Sequence, residues 1–217
     1  MARLKTVFAC QSCGYQSPKW LGRCPDCSSW NSFVEEDYAA PASGAKERVA
    51  LYKDEPVLLK DVEAKEEERL KTGITELDRV LGGGIVAGSV VLIGGDPGVG
   101  KSTISLQVSN QLARHGATIL YVSGEESVSQ TKLRARRLGS QESERLYIVN
   151  QTDLSLIVEY IKKLKPDVVI IDSIQVIFDP GISSSAGSVS QVRECSGMLT
   201  QLAKTTGTSI FIIGHVT

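Results

Sequence analysis

The sequence lacks any run of about 18 uncharged apolar residues, the length that a membrane-spanning helix needs. It also lacks a secretory signal, because its first residues lead into a cysteine pair and not into an apolar core. Basic residues are not in excess, since 24 Lys and Arg stand against 25 Asp and Glu. Any nucleic-acid binding would therefore depend on local patches. These absences predict a cytoplasmic protein with no membrane partner.

Cysteine is scarce, yet four of the five cysteines form two Cys-x2-Cys pairs separated by ten residues. In the cytoplasm such pairs bind metal more often than they form disulfides. Zn²⁺ suits four thiolates because it favours tetrahedral coordination by soft ligands. We predict a structural zinc ribbon over residues 1–34 that its metal stabilises. Iron in the same geometry, a pair of disulfides and four unrelated thiols are the alternatives. The predicted zinc ligands are Cys10, Cys13, Cys24 and Cys27.

Four residues beside the cysteines combine charge with aromatic rings: Lys19, Trp20, Arg23 and Trp30. They could contact DNA by charge and stacking. The alternative is that both tryptophans pack within the ribbon, and for Trp30 this is the interpretation we favour, because a large aromatic ring contributes much buried area. The fifth cysteine, Cys195, lies on an apolar helix stripe and is predicted to be a core residue.

Residues 35–70 are predicted to form a linker, with a short strand at Val57–Leu59. The stretch 31–70 is acidic, with eleven Asp and Glu against six Lys and Arg. From residue 71 to residue 217, strand patterns alternate with helix patterns, which predicts an α/β domain with a mostly parallel sheet covered on both faces. The predicted strands are Ser89–Ile93, Thr118–Val122, Leu146–Val149, Val168–Asp172 and Ser209–Ile213, and the predicted helix starts are the capping box Ser127-x-x-Gln130 and Asp153.

A glycine-rich segment follows the first of these strands and fits the pattern G-x-x-x-x-G-K-[ST] at every fixed position. Glycines let such a loop turn its backbone N–H groups around phosphate oxygens. Lys101 would place a positive charge near the β- and γ-phosphates, and the hydroxyl of Ser102 would bind Mg²⁺. The sequence therefore predicts a nucleoside triphosphate site. The predicted phosphate-binding residues are Gly95, Asp96, Pro97, Gly98, Val99, Gly100, Lys101 and Ser102.

Hydrolysis also needs a carboxylate on the Mg²⁺ side and a group that orients the attacking water. Asp172 ends an apolar strand and is the predicted Mg²⁺-side carboxylate. Glu125, with Glu126 as the second choice, follows a neighbouring strand and is predicted to orient the water. Basic residues on the next helix are interpreted as a solvated face, with DNA or a neighbouring subunit as the alternative partner. They are Lys132, Arg134, Arg136 and Arg137.

Three motifs together resemble the RadA (Sms) family of bacterial DNA repair proteins, which belongs to the RecA-type ATPases. They are the ribbon with Lys19-Trp20 and Trp30-Asn31-Ser32, the segment Thr72–Gly84, and Gly95–Thr103. The resemblance covers essentially all 217 residues. It implies a RecA-like core that binds ATP and Mg²⁺, and a DNA-dependent ATPase that processes recombination intermediates. It further implies a hexameric, helicase-like motor that drives branch migration on single-stranded and branched DNA alongside RecA.

The family pattern also suggests individual roles. Gly95–Thr103, which adds Thr103 to the phosphate-binding set, corresponds to Walker A, Asp172 to Walker B and Glu125 to the water-orienting glutamate. The segment Ile182–Ser190 corresponds to a DNA-facing loop, and Gly214–Thr217 to the start of the segment that senses the γ-phosphate. The family continues with a second DNA-facing loop, a Lys-Asn-Arg-Phe-Gly motif and a Lon-protease-like domain. We therefore expect the sequence to be a fragment of a longer protein.

Two other function classes remain as alternatives. KaiC-like relatives share the Gly-Ile-Thr-Glu-Leu-Asp and triple-glycine pattern, and act as nucleotide-dependent switches or scaffolds through protein partners. The cysteine ribbon at residues 10–27 argues against that reading. A non-catalytic zinc-ribbon adaptor is the third possibility.

Overall fold

The computed structural model describes residues 5–38, 57–61, 69–139, 143–182 and 184–215. The chain divides into two compact units. The first contains the cysteine ribbon and the second contains a parallel sheet. Within the described residues, none of the helices is both long and apolar enough to span a bilayer.

The first unit contains a three-stranded antiparallel sheet of order β2-β1-β3. Its strands are β1 (Lys5–Cys10), β2 (Gln16–Ser17) and β3 (Phe33–Tyr38). The sheet continues to Tyr38, beyond residue 34, where the sequence pattern ended the ribbon. Its core is small, with buried Cys10, Cys24 and Phe33 packed against partly buried Phe8 and Leu21. So little buried apolar surface leaves much of the stability to a metal.

The predicted strand at Val57–Leu59 is wrong, because Leu59–Asp61 forms a single 3₁₀ turn. Its apolar side chains are exposed, with Leu59 at 89% of its full accessibility. A strand needs a partner strand for its backbone hydrogen bonds and a surface on which its side chains pack. Three consecutive apolar residues do not show that either is available. The predicted linker lies largely outside the described residues.

The second unit contains a parallel five-stranded sheet. Its strands are β4 (Val90–Gly95), β5 (Ile119–Ser123), β6 (Leu146–Asn150), β7 (Val168–Asp172) and β8 (Ser209–His215). Their order across the sheet is β4-β8-β7-β5-β6. Every predicted strand of this domain is present, with ends shifted by at most two residues, and the α/β prediction is confirmed. The helices are α1 (Thr75–Val80), α2 (Lys101–Arg114), α3 (Val128–Arg137), α4 (Leu154–Leu164) and α5 (Val189–Thr206).

Helices cover both faces of this sheet. Strand residues alternate between two cores, so that Val169 and Ile171 of β7 pack with α4 and α5, whereas Val168 and Ile170 pack with α2 and α3. The alternation follows from the two-residue period of a strand. Cys195 lies in the first of these cores, fully buried as predicted, and burial raises the pKa of its thiol to about 11.

Local sequence signals fix the helix ends. The Ser127 side chain accepts a hydrogen bond from the backbone N–H of Gln130, and the Gln130 side-chain Oε1 accepts one from the backbone N–H of Ser127, so the predicted capping box is present. Asp153 caps α4 by accepting from the N–H of Ser155. Gly207 ends α5 in a left-handed conformation. Because parallel strands present their carboxyl ends at one edge of the sheet, the groups that follow β4, β5, β7 and β8 lie together there.

Candidate nucleotide site and metal centre

The glycine-rich loop joins the end of β4 to the start of α2 at Lys101. Gly98 and Gly100 have φ angles of 82° and 98°, and an added Cβ at either would meet no atom within 4 Å. Glycine is therefore required by the left-handed backbone and not by lack of space. The loop leads directly into a helix N-terminus, where backbone N–H groups and the helix dipole favour an anion.

Lys101, the first residue of α2, turns its ammonium group into this loop and is only 7% exposed. Its Nζ donates to the carbonyl oxygens of Gly95 at 2.7 Å and Asp96 at 2.8 Å, and lies 3.2 Å from His215 Nδ1. An ammonium group has only donors, so Nδ1 is the acceptor in this contact. The other ring nitrogen, Nε2, is 3.7 Å from a carboxylate oxygen of Glu125. His215 thus lies between the lysine and the predicted water-orienting glutamate.

Asp172 ends β7 opposite the start of α2. One of its oxygens, Oδ1, accepts from Ser102 Oγ at 3.0 Å, and the other, Oδ2, accepts from the Tyr121 hydroxyl at 2.5 Å. A serine hydroxyl beside a carboxylate is the oxygen donor set that Mg²⁺ prefers. The residues present therefore fit a magnesium ion at this position. The peptide bond that follows Asp172 is cis.

Glu125 follows β5 and turns its carboxylate toward the same edge of the sheet. Its Oε1 accepts from Ser173 Oγ at 2.6 Å, and 51% of its side chain is exposed. The group is therefore held in place and accessible to water. The predicted segment Gly214–Thr217 begins at this edge, with Gly214 and His215 at the end of β8; residues 216 and 217 lie outside the described residues.

Glu126 makes different contacts. Its carboxylate forms an ion pair with Arg134 on α3, and its backbone N–H donates to Ser123 Oγ. The interpretation of Arg134 as a solvated charge is therefore wrong, because the turn before α3 brings Glu126 against it. Lys132, Arg136 and Arg137 are exposed, as predicted.

Gly124 lies between the end of β5 at Ser123 and Glu125. A Cβ added to Gly124 would overlap Val176 Cγ2. Valine is stiff about χ1, so the contact cannot be relieved by a simple rotation. We expect Gly124→Ala to destabilise the domain by about 1–3 kcal/mol and to lower ATP turnover by displacing Glu125.

Thermal unfolding and ATP turnover measure both effects of Gly124→Ala. The matched control is Gly197→Ala on α5, where an added Cβ meets nothing within 4 Å. There alanine should raise stability by up to about 1 kcal/mol because it favours the helix. Unfolding of Gly124→Ala at the wild-type temperature, with unchanged turnover, would contradict the steric argument.

The four paired cysteines of the ribbon bring their sulfur atoms together. All four Sγ atoms lie within 4.8 Å of one another, and Cys10–Cys27 and Cys13–Cys24 are each separated by 3.6 Å. Zinc–sulfur bonds of about 2.3 Å in a tetrahedron place sulfurs about 3.8 Å apart. All five cysteines of the chain are free, which excludes the disulfide alternative. The donor set fits one tetrahedral ion.

The pKa values of these thiols differ from one cysteine to the next. Burial alone would raise the pKa of Cys10. Hydrogen bonds from Ser32 and from the backbone of Ser12 and Cys13 outweigh burial and bring the pKa down to about 6. At Cys13 a backbone hydrogen bond at Tyr15 lowers the pKa, but burial and the other three sulfurs raise it to about 12. Adjacent thiolates repel one another, so a cation that neutralises them displaces the remaining protons.

The two tryptophans of the ribbon do not pack as we interpreted them. Trp20 is 52% exposed and Trp30 is 71% exposed. The Arg23 guanidinium carbon lies 5.7 Å from the centre of the Trp30 ring. The buried residues of the ribbon core are Cys10, Cys24 and Phe33, and neither indole is among them. The packing interpretation is wrong for both rings.

Two residues of the nucleotide site were not predicted from the sequence. Tyr121 and Ser173 hold the carboxylates of Asp172 and Glu125. A phenol two residues before the end of an apolar strand was the available signal for Tyr121, because a buried hydroxyl needs a partner. For Ser173 the signal was its place directly after the strand-end aspartate.

Comparison with known proteins agrees with this geometry. A family model described as an AAA domain matches residues 53–217, and one described as a rubredoxin metal binding domain matches residues 8–35. The chain belongs to the AAA-domain family. It therefore carries an ATP-binding ATPase domain of this family and a four-cysteine zinc ribbon, and the predicted fold class is confirmed.

Several named proteins match this chain over its whole length. Proteins called DNA repair protein RadA are 55% identical over 217 residues in Streptococcus pyogenes serotype M1 and 51% identical over 220 residues in Bacillus subtilis strain 168. The protein of that name in Listeria monocytogenes serovar 1/2a is 49% identical over 220 residues. Each match covers 100% of this chain but 47% to 48% of the relative. The chain spans about half the length of these relatives, and the RadA resemblance is confirmed.

Proposed function

We propose that this chain is the ATP-hydrolysing part of a DNA-dependent ATPase that processes recombination intermediates in DNA repair. Its work would be helicase-like branch migration on single-stranded and branched DNA. The observation that carries the proposal is the assembly of Lys101, Ser102, Asp172 and Glu125 at one sheet edge. It occurs in a chain whose full length matches proteins named for DNA repair.

Each residue of the site has a role that follows from its contacts. The loop Gly95–Thr103 would hold the phosphates through backbone N–H groups, and Lys101 would neutralise charge on the β- and γ-phosphates. Ser102 and Asp172 would hold Mg²⁺, which supplies further neutralisation of the phosphate oxygens when bound. This arrangement supports hydrolysis and not binding alone.

We assign the water-orienting role to Glu125. Its carboxylate is half exposed and is held by one hydroxyl, so it retains lone pairs for a water proton. The Glu126 carboxylate already compensates the charge of Arg134. Glu126 therefore remains the second choice for this role.

The resemblance to the RadA family supports three further proposals. The full-length protein would assemble into a hexameric ring, act alongside RecA and work in the cytoplasm. Sedimentation velocity with and without ATP tests the first of these. A species that stays monomeric under both conditions would contradict the ring.

ATP turnover with and without single-stranded DNA tests the proposed function. We expect DNA to increase turnover several-fold, with a Glu125→Gln variant as the control for contaminating ATPases. The full-length relative from Bacillus subtilis provides a parallel measurement. If single-stranded DNA leaves the rate of ATP turnover unchanged in both proteins, that result would contradict DNA dependence and favour a nucleotide-dependent switch. Stimulation confined to the relative would place DNA dependence outside these 217 residues.

A further inference from the structure

Asp172 is unusual in this site because each of its oxygens has its own donor. Ser102 serves Oδ1 and Tyr121 serves Oδ2. The tyrosine is 1% exposed and lies on β5, with its ring in the core that also contains Leu106 and Ala135. A hydroxyl buried in such a core costs free energy unless it has a partner. Its partner is the one carboxylate that faces Ser102.

Tyr121 is placed to reach that carboxylate by strand register. On neighbouring β7 it pairs with Ile170, two residues before Asp172, while Ser123 pairs with Asp172 itself. The phenol therefore extends along the strands toward the sheet edge. A phenol carries one O–H donor, and here it donates to Asp172 Oδ2.

We propose that Tyr121 is a positioning residue for Mg²⁺, which acts by fixing the rotation of the Asp172 carboxylate. The terminal torsion of aspartate is broad and nearly two-fold, so one hydrogen bond does not define the plane of the carboxylate. Donors on both oxygens do define it. The Ser102 hydroxyl can then offer a lone pair to a cation while its proton stays on Oδ1. The proposal rests on the proposed function only in requiring that this site bind ATP with Mg²⁺.

The test is Tyr121→Phe, which keeps the ring and removes the hydroxyl. Binding of a fluorescent ATP analogue is titrated at rising Mg²⁺ concentration and again in EDTA. Because a hydrogen bond to a charged group is lost, we expect the Mg²⁺ concentration for half-maximal enhancement of binding to rise about tenfold. Affinity in EDTA should not change. Tyr147→Phe on β6, where the ring is 46% exposed, is the matched control and should behave as wild type.

Two further variants separate positioning from a packing role. 4-Aminophenylalanine at position 121 retains a donor and should restore the wild-type Mg²⁺ dependence. In an Asp172→Asn background, adding Tyr121→Phe should cause no further change. Unaltered Mg²⁺ dependence in Tyr121→Phe, or an equal loss of affinity in EDTA, would overturn the proposal, as would failure of the amino variant to rescue. A wild-type chain that binds no ATP analogue would instead contradict the proposed function.

Discussion

Replacement of Glu125 by glutamine should nearly abolish ATP hydrolysis while nucleotide binding persists. The amide matches the carboxylate in shape, and its oxygen can still accept the hydrogen bond from Ser173. It cannot take a proton from the attacking water. We expect kcat to fall by roughly 10²–10⁴, with the dissociation constant for ATP unchanged within about twofold because the phosphate loop is intact.

Two matched variants show whether the loss of turnover is specific to Glu125. Glu126→Gln removes the ion pair with Arg134, which should lower stability by about 1 kcal/mol or less because both side chains are partly exposed. Glu159→Gln, exposed on α4, should leave turnover unchanged. If Glu126→Gln loses turnover and Glu125→Gln retains it, Glu126 orients the attacking water and the assignment to Glu125 is wrong.

Motifs whose residues are close in sequence could be predicted before the structure. The phosphate loop is eight consecutive residues, and its backbone conformation depends on glycines within it. The four cysteines lie within eighteen residues, and their sulfur atoms are close enough for one ion to bind them all. The sheet was predictable because buried parallel strands are short continuous apolar runs. In each case the physical cause acts locally.

Contacts across the sheet edge could not be predicted in the same way. Tyr121 and Asp172 are 51 residues apart, and Ser173 and Glu125 are 48 apart. They meet because β5 and β7 are neighbours in register, which single-strand patterns do not specify. The exposure of Trp20 and Trp30 was missed for a related reason. Which side chains a small core buries depends on the whole set that packs there, and here the buried ones are Cys10, Cys24 and Phe33.

Loss of one zinc ligand should unfold the ribbon while the nucleotide site survives. We choose Cys24→Ser because Cys24 is 1% exposed and belongs to the small ribbon core. Structural zinc contributes about 10–16 kcal/mol of apparent binding free energy in small domains. That is far more than the few buried side chains here supply. The chain contains only two tryptophans, both in the ribbon, so tryptophan fluorescence reports this unit alone.

The measurement combines metal content with that fluorescence. Wild type expressed with zinc and iron both available should contain one equivalent of zinc, and Cys24→Ser should contain none and show the emission of unfolded chain. Cys195→Ser is the matched control, because Cys195 lies in the core of the second unit and should leave the metal in place. ATP binding should be retained in Cys24→Ser, since the phosphate loop lies wholly within the second unit. Iron in the wild type would support the alternative metal, and a folded, metal-free Cys24→Ser ribbon would contradict a structural role for any ion.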